Sequence, residues 1–213
     1  MTYHIPFALE KPPLVIVITG PAGVGKDSVI KELRRRGVKF HFVVTATTRQ
    51  ARDHEQDGVD YFFYDQPKFE SLIQDGFFLE HTFIHKSYRG VPRSQIEPYL
   101  ARGEDVVIRP DVQGALRIQK VFPRAVLILL VPESLNQLSA HMIARGTESL
   151  DEIASRVSTA KSELSHTKYF DYIIVNREGK LAETVTCIEA IVLAEKCSAR
   201  HIQDYTIKRF DFQ

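Results

Sequence analysis

The segment LVIVITGPAGVGKDS, residues 14–28, decides the fold of this 213-residue chain. Its first six residues are apolar or β-branched, which favours a buried strand, and a helical pattern follows it. Between the two, glycines and a lysine have the spacing G-x-x-x-x-G-K and stand at Gly20, Gly23, Gly25 and Lys26. Glycines let successive backbone N–H groups approach an anion, and the lysine reaches its outer oxygens. The segment therefore predicts a phosphate-binding loop, or P-loop.

The residues predicted to contact the phosphates of a bound nucleotide are Gly20, Pro21, Ala22, Gly23, Val24, Gly25, Lys26, Asp27 and Ser28. The residue after Lys26 is Asp27, so the hydroxyl expected to help hold Mg²⁺ comes one place later, at Ser28. We therefore predict Mg²⁺ near Ser28, with contact through water as one possibility. Asp27 either holds a magnesium-bound water or is a first-turn carboxylate favoured by the helix dipole. A glycine-rich turn without a ligand is the alternative for the whole loop.

Short β-rich segments alternate with helical patterns along most of the chain. Strands are predicted at 14–19, 105–108, 126–131 and 172–175, followed in turn by helices at 28–36, 112–121, 134–144 and 181–194. This alternation is typical of a parallel sheet covered by helices. The sequence therefore predicts an α/β fold of three layers with a parallel core sheet.

Between residues 41 and 90 the pattern changes. Strands are predicted at 42–45, 61–64 and 78–84, around one brief helix at 67–74. We interpret this segment as an inserted lobe above the carboxyl edge of the sheet, where α/β proteins bind ligands.

The lobe contains residues suited to a second phosphate and to a polar ligand. Arg49 and Arg52 lie three residues apart beside hydroxyls, and arginine binds phosphate through two parallel hydrogen bonds. Tyr61 offers a further hydroxyl. Glu80 is a carboxylate in an otherwise apolar stretch, where it is costly unless a group donates to it. The alternative for the two arginines is solvated surface charge.

Together these segments resemble the guanylate kinase family, from about residue 14 to about residue 196. The matching motifs are GPAGVGK (20–26), TATTRQAR (45–52), DGVDYFF (57–63), FFLE (77–80), DVQGA (111–115), ARGTES (144–149) and DYIIVN (171–176). Guanylate kinases transfer the γ-phosphoryl group of MgATP to GMP, giving ADP and GDP. The resemblance implies a three-layer P-loop kinase fold with a parallel core sheet, an inserted GMP-binding lobe and a lid. It places these in a single domain over 1–213, with the core at about 14–40 and 91–198, the lobe at about 41–90 and the lid at about 141–160.

The resemblance also implies roles for individual residues. It assigns GMP binding to Thr45, Arg49, Arg52, Tyr61, Glu80, Arg89 and Asp111, and catalysis to Lys26, Arg49, Arg145 and Arg156. Glu80 would accept hydrogen bonds from guanine N1–H and the exocyclic amine, and Thr45 would donate to O6. Adenine would place an acceptor opposite the carboxylate and leave buried groups unpaired.

Several positions depart from the commonest family pattern. Arg89 replaces a tyrosine, Val91 a hydroxyl residue, Arg109 an aspartate and His141 a lid arginine, and the resemblance assigns no role to His141 or to Pro110, which follows Arg109. Many of these changes resemble a branch that includes plant organellar and some bacterial guanylate kinases. The shared motifs are GKD (25–27), YRGVP (88–92), RPDVQG (109–114) and VNREG (175–179).

Two other functions remain open at this point. A ribose 1,5-bisphosphate kinase shares the fold and a Gly-Lys-Asp-Ser loop, but it does not need a guanine-recognising pair such as Glu80 and Thr45. A guanylate-kinase-like domain that binds proteins without catalysis characteristically loses the P-loop, whereas Lys26 and its glycines are present here.

Composition limits the possible partners and setting. Lys and Arg (28) nearly balance Asp and Glu (27), so the net charge does not favour nucleic-acid binding. The sequence has no apolar run near the roughly 20 residues of a membrane span and shows no evident targeting segment, so we predict a cytoplasmic protein. The predicted partners are ATP and GMP or dGMP, and the sequence does not decide between a monomer and a homodimer.

Overall fold

The computed structural model describes residues 12–53, 55–84, 86–146 and 149–202 of the chain. The strands in this part are β1 (Val15–Thr19), β2 (Phe40–Phe42), β3 (Thr45–Thr47), β4 (Tyr61–Phe63), β5 (Phe78–Ile84), β6 (Ser87–Pro92), β7 (Asp105–Ile108), β8 (Val126–Pro132) and β9 (Tyr172–Asn176). The α-helices are α1 (Lys26–Arg35), α2 (Gln66–Gln74), α3 (Glu97–Ala101), α4 (Val112–Val121), α5 (Leu135–Arg145), α6 (Leu150–Leu164), α7 (Leu181–Glu195) and α8 (Ala199–Ile202).

Five strands form a parallel core sheet in the order β2-β7-β1-β8-β9. Side chains alternate between its faces, so Ile16 and Ile18 pack against α1, α5, α6 and α7. Val15 and Val17 pack on the other face, where α4 supplies Ala115 and Ile118. Helices thus cover both faces of a fully buried central strand, and the predicted three-layer α/β fold is confirmed.

Four further strands form a second sheet in the order β4-β3-β6-β5, with β3 and β4 parallel and the other pairs antiparallel. Its own small core contains Ala46, Phe69 and Phe78. The rings of the two phenylalanines stack with centroids 4.4 Å apart. A Cβ on Gly90 would lie 2.7 Å from the Phe78 ring, so this β6 position requires glycine.

The prediction of one strand over residues 42–45 is wrong. The chain there belongs to two sheets, because β2 pairs with β7 in the core and β3 pairs with β4 and β6 in the second sheet. The N–H of Val43 still donates to the carbonyl of Val107, at 2.9 Å, and the chain leaves the core sheet after that bond. Because the apolar run continues from one sheet into the other, the sequence pattern shows no break where the chain changes sheets.

Some elements carried no clear periodic signal. Strand β6 contains Arg89, Gly90 and Pro92, residues that β propensity alone does not favour. Helix α3 has only five residues, too few to show a helical period. Helix α1 was predicted, but it begins at Lys26 rather than at residue 28. These differences arise where pairing and capping, rather than residue type, determine the boundary.

Candidate active site

The predicted P-loop joins the end of β1 to the start of α1, in the middle of the core sheet. Its glycines are required by close packing: a Cβ on Gly20 would lie 2.3 Å from the carbonyl oxygen of Leu130. Gly25 has φ of 95° and caps α1 in the left-handed region, and a Cβ there would lie 2.6 Å from Asn176 Nδ2. Glycine adopts such a left-handed backbone without strain. The loop is therefore held close to β8 and β9.

Two side chains distant in sequence also hold the loop through hydrogen bonds. Asn176, at the end of β9, donates through Nδ2 to the carbonyl of Val24 at 2.7 Å and accepts from the Thr184 hydroxyl at 2.8 Å. His141, on α5, places Nδ1 2.9 Å from the carbonyl oxygen of Gly23. Because that oxygen can only accept, Nδ1 carries the proton in this contact. Asn176 of the VNREG motif and His141 thus have a structural explanation that sequence reasoning did not supply.

Lys26 lies in the P-loop as predicted, and its ammonium group turns back on the loop. Nζ donates to the carbonyl of Gly20 and, at 3.0 Å, to that of Pro21. Burial lowers the pKa of Lys26 to about 8, and the nearby Glu163 carboxylate opposes that effect. Burial in turn raises the pKa of Glu163, whereas the charge of Lys26 lowers it. Among the described residues, the hydrogen bonds of this ammonium group go to the two carbonyl oxygens, so a nucleotide phosphate would add an anionic acceptor.

Asp27 and Arg109 form an ion pair at the first turn of α1. The Arg109 guanidinium also lies 5.0 Å from the centroid of the Tyr61 ring, in β4 of the second sheet. Burial lowers the pKa of Arg109 to about 10, so it remains charged at neutral pH. Arg109, for which the sequence suggested no role, therefore connects the P-loop helix to the lobe.

Arg49 lies in the lobe with its guanidinium already fixed by a carboxylate. Its two terminal nitrogens donate to both oxygens of Glu55, each at 2.6 Å, and its Cζ lies 5.0 Å from the centroid of the Tyr61 ring. The backbone N–H of Arg52 donates to the same carboxylate at 2.9 Å. Burial would raise the pKa of Glu55, but the hydrogen bonds from these arginines lower it overall. Glu55 organises both arginines. Sequence reasoning did not name it, and its position three residues after Arg52 is the signal that could have found it.

One cavity brings the predicted donor-side and acceptor-side residues together. Its walls include five P-loop residues and six residues from other segments: Ala22, Gly23, Gly25, Lys26 and Asp27, with Arg49, Arg52, Tyr61, Arg89, Arg109 and Arg156. Arg89, on β6, has a buried Nε with no hydrogen-bond partner among the described residues. Arg156 projects from α6, whereas the side chain of Arg145, the last residue of α5, lies outside the described part of the structure. The chemistry that this concentration of cations suits is binding of several phosphate groups.

The residues predicted to recognise guanine lie on the strands that flank β6. Glu80 pairs with Val91, and Ala46 pairs with Gly90, so Thr45 lies opposite Val91 from the other side. Residues opposite one another share a face of the sheet, so Thr45 and Glu80 face the same way. Thr45 is 7% exposed and Glu80 is 6% exposed. The sheet therefore presents a hydroxyl and a carboxylate in one buried place.

Helix α4 and its capping residue add further polar groups beside Glu80. Arg117 donates through Nε to Glu80 at 2.7 Å, and Asp111 caps the helix by accepting from the Gly114 N–H at 2.8 Å. Burial raises the pKa of Glu80, Arg117 lowers it and Asp111 raises it further. Pro110 is buried and its carbonyl accepts from the Thr19 hydroxyl at 3.0 Å, which ties the start of α4 to β1. Sequence reasoning named Glu80 and Asp111 but not Arg117.

A separate open cavity of about 390 Å³ lies beside the P-loop, on the side away from the lobe residues. It is lined by Ser28, Gln137, His141, Asn176 and Arg177, among others. Among the described residues, no group of three or more His, Cys, Asp or Glu side chains is arranged to hold a metal ion. Two side-chain oxygen groups at the P-loop are available to a metal ion, the Asp27 carboxylate and the exposed Ser28 hydroxyl.

Known proteins of one family are similar to this chain along most of its length. The family model described as guanylate kinase matches residues 13–195. A rice protein named guanylate kinase 2, chloroplastic/mitochondrial, is 42% identical over 192 residues, which cover 90% of this chain and 67% of that protein. A Bacillus cereus guanylate kinase is 39% identical over 193 residues, covering 90% and 93% of the two chains. The crystal structure of guanylate kinase from Anaplasma phagocytophilum superposes with a TM-score of 0.75 at 27% identity and covers 91% of each chain.

Proposed function

The chain belongs to the guanylate kinase family, and we infer from this membership that it transfers the γ-phosphoryl group of ATP to GMP. It is thus a nucleoside monophosphate kinase whose products are ADP and GDP. The observation that carries this function in the structure is the single cavity that joins Lys26 of the P-loop to Arg49 and Arg52 of the lobe. A cavity bordered by both groups suits two phosphorylated substrates whose phosphates meet.

The reaction that this geometry supports is a direct transfer between two bound nucleotides. An oxygen of the GMP phosphate attacks the γ-phosphorus of ATP, and the bond from that phosphorus to the β,γ-bridging oxygen breaks. The bridging oxygen keeps the electron pair and leaves as part of ADP. Such a transfer depends on positioning and charge neutralisation rather than on a protein nucleophile.

We assign the cations along the cavity to successive parts of this reaction. Lys26 binds the outer phosphates of ATP, and Arg49 and Arg52 with the Tyr61 hydroxyl bind the phosphate of GMP. Arg89 adds a donor on the GMP side, in place of the tyrosine that is commoner in the family. Arg156, with Arg145 from the lid, neutralises the charge on the group in transfer.

Mg²⁺ fits this site as a companion of ATP. Mg²⁺ takes oxygen ligands and in kinases is held by one or two protein groups together with substrate phosphates. Ser28 is exposed at the start of α1 and provides a hydroxyl, while the Asp27 carboxylate is paired with Arg109. We propose that Ser28 holds the ion, directly or through water, and that the ion neutralises phosphate charge when bound.

Base recognition on the acceptor side rests on Glu80 and Thr45. Guanine presents N1–H and an exocyclic amine side by side, and a buried carboxylate accepts from both. Thr45 donates to O6, and Asp111 completes the pocket at the start of α4. Since none of these contacts involves the sugar 2′-hydroxyl, we propose that dGMP is also a substrate. The open cavity beside the P-loop is the proposed place of the ATP base.

A coupled assay of ADP release from MgATP tests this function, with GMP, dGMP, AMP, UMP and ribose 1,5-bisphosphate as separate acceptors. We expect turnover with GMP and dGMP and little with the others. Activity only with the sugar bisphosphate would instead establish the ribose 1,5-bisphosphate kinase. Lys26→Ala tests the binding-module alternative: it should abolish Mg-dependent ATP binding, whereas the exposed substitution Lys120→Ala should leave it intact. Silence with every acceptor and no such ATP binding would favour a protein-binding module.

The setting and assembly of the protein are further predictions. Among the described residues, no helix has the length and apolar character needed to cross a bilayer. We propose a cytoplasmic enzyme of purine nucleotide metabolism, although one relative is named chloroplastic/mitochondrial. Fractionation of the source cells would test the compartment, and sedimentation would distinguish a monomer from a homodimer.

A further inference from the structure

Arg117 is the described charged residue in contact with the proposed guanine-recognising carboxylate. Its Nε donates to Glu80 Oε1 at 2.7 Å across 37 residues of sequence. The Glu80 side chain is only 4% exposed, whereas that of Arg117 is 38% exposed. The Arg117 Nη2 is buried and has no hydrogen-bond partner among the described residues, so the bond to Glu80 is the contact that orients the guanidinium.

The surroundings of Glu80 do not otherwise favour a charged carboxylate. Burial raises its pKa, and so does Asp111 at the start of α4, while Arg117 acts in the opposite direction. The residue paired with Glu80 on β6 is the apolar Val91. The backbone of α4 limits its movement as well, because Glu80 Oε2 lies 3.3 Å from where a Cβ on Gly114 would stand. Among the described residues, Arg117 is therefore the group that favours the charged form of Glu80, and its hydrogen bond fixes one carboxylate oxygen.

Charge matters here because of the hydrogen-bonding pattern of guanine. An ionised carboxylate accepts from two neighbouring N–H groups, one on each oxygen, whereas a protonated carboxyl group has one oxygen converted to a donor. A donor facing the N1–H or the amine would leave buried polar groups unpaired. We propose that Arg117 is a positioning residue for base recognition, holding the Glu80 carboxylate ionised and oriented toward the N1–H and amine of GMP. The proposal rests on the function assigned above, and Arg117 acts through Glu80 rather than on the base.

Arg117→Gln tests the proposal through steady-state kinetics over pH. We expect KM for GMP to rise about tenfold while kcat and KM for ATP change by less than about twofold, because base contacts remote from the reacting atoms contribute uniform binding. The acidic limb of kcat/KM for GMP should move to higher pH, since this limb reports groups of the free reactants. The GMP phosphate also titrates near pH 6. Its contribution is the same for the wild type and for Arg117→Gln, so it does not account for a shift between them.

Two further variants separate this role from a general loss of structure. Arg117→Lys keeps a cation, so it should restore KM for GMP to within about threefold of the wild-type value. Arg102→Gln breaks an exposed ion pair with Glu104 and is the matched control that should change neither KM nor the pH profile. An unchanged KM and acidic limb in Arg117→Gln would overturn the proposal. The same loss in Arg117→Lys as in Arg117→Gln would also overturn it.

Arg117→Gln leaves a buried carboxylate unpaired, which can prevent folding. The double variant Glu80→Gln/Arg117→Gln avoids that penalty, and its KM for GMP should equal that of Glu80→Gln alone. An additional loss would show that Arg117 contacts the base or the fold independently, and the proposal would be wrong. If the wild-type protein does not phosphorylate GMP, or if Glu80→Gln is as active and selective as the wild type, the underlying function or recognition fails. If the wild-type protein phosphorylates GMP and Glu80→Gln loses activity or selectivity, but the Arg117 variants match the wild type, only the proposed role of Arg117 fails.

Discussion

At the scale of single residues, the site is built from ionisable groups held in buried places. Lys26, Glu80 and Arg109 each have a pKa displaced by burial, and in each case the displacement disfavours the charged form. The same burial strengthens their interactions with a ligand of opposite charge or matching donors, because the local dielectric constant is low. Such groups are costly to the folded protein and informative about what it binds.

Glu80→Gln should lower kcat/KM for GMP and relax discrimination against AMP. The amide keeps the shape of the carboxylate but presents one donor where guanine also donates, which costs about 2 kcal/mol, or roughly thirtyfold. Competition kinetics with GMP and AMP measure both effects. Glu97→Gln, an exposed substitution on α3, serves as the control. Full retention of GMP selectivity in Glu80→Gln would remove this residue from base recognition.

The affinity for ATP should depend on pH through Lys26. With a pKa of about 8 in the unliganded protein, Lys26 is mostly charged at neutral pH and loses its proton as the pH rises above that value. Bound phosphates raise its pKa, so binding above pH 8 takes up a proton and weakens by up to about tenfold per pH unit. Calorimetry in two buffers of different ionisation enthalpy measures this uptake. An affinity that stays constant from pH 7 to pH 9.5 would contradict this expectation.

At the scale of elements, the P-loop owes its shape to strands and helices that lie far away in sequence. The carbonyl of Leu130 on β8, the Asn176 side chain on β9 and the His141 ring on α5 all contact it. These elements meet the loop because parallel strands bring their carboxyl ends to one edge of the sheet. A change at β9 is therefore expected to alter nucleotide binding without touching the nucleotide.

Gly25→Ala should disturb the loop more than an alanine at a comparable glycine elsewhere. Both Gly25 (φ 95°) and Gly103 (φ 78°) have left-handed backbones, which cost alanine about 1–2 kcal/mol. A Cβ on Gly25 also collides with Asn176, whereas none of the described atoms lies within 4 Å of a Cβ on Gly103. Denaturant unfolding should show a larger loss for Gly25→Ala, and ATP affinity should fall at least tenfold in that variant alone. Equal effects of the two substitutions would contradict this account.

At the scale of the whole molecule, the cavity that joins Lys26 to Arg49 and Arg52 lies between the P-loop of the core and the second sheet. Arg109 and Tyr61 make one of the contacts that cross between them, since the guanidinium lies over the ring while pairing with Asp27. We therefore expect the two substrates to bind to different sheets and to meet where those sheets face each other. A ligand that occupies both sides should stabilise the arrangement more than either nucleotide does.

Adenosine and guanosine joined through five phosphates should raise the Tm of the protein more than ATP and GMP together at the same concentrations. Joining the two ligands converts the second contact into an intramolecular one, and binding stabilises the folded state by RT ln(1 + [L]/Kd). Thermal unfolding measures the shift, and the analogue with two adenosines is the control. If both analogues gave the same Tm, the acceptor side would not select guanine in this ligand.

The sequence alone was sufficient for the features that depend on local spacing and order. The P-loop follows from glycines and a lysine between a strand and a helix, and the resemblance to guanylate kinases follows from motifs in their usual order. That resemblance also named Arg49, Glu80 and Asp111 as site residues, whose binding roles stay predictions. Motifs of this kind are visible because the residues involved are neighbours along the chain.

Only the tertiary structure decided how those residues are held. Glu80 meets Arg117 across 37 positions, and Asn176 meets Val24 across 152 positions. The fixation of Arg49 by Glu55 and the pairing of Asp27 with Arg109 depend on side-chain geometry that no local periodicity encodes. The physical reason is that hydrophobic pattern and glycine spacing specify elements, whereas the partner of a buried charge is chosen by how those elements pack.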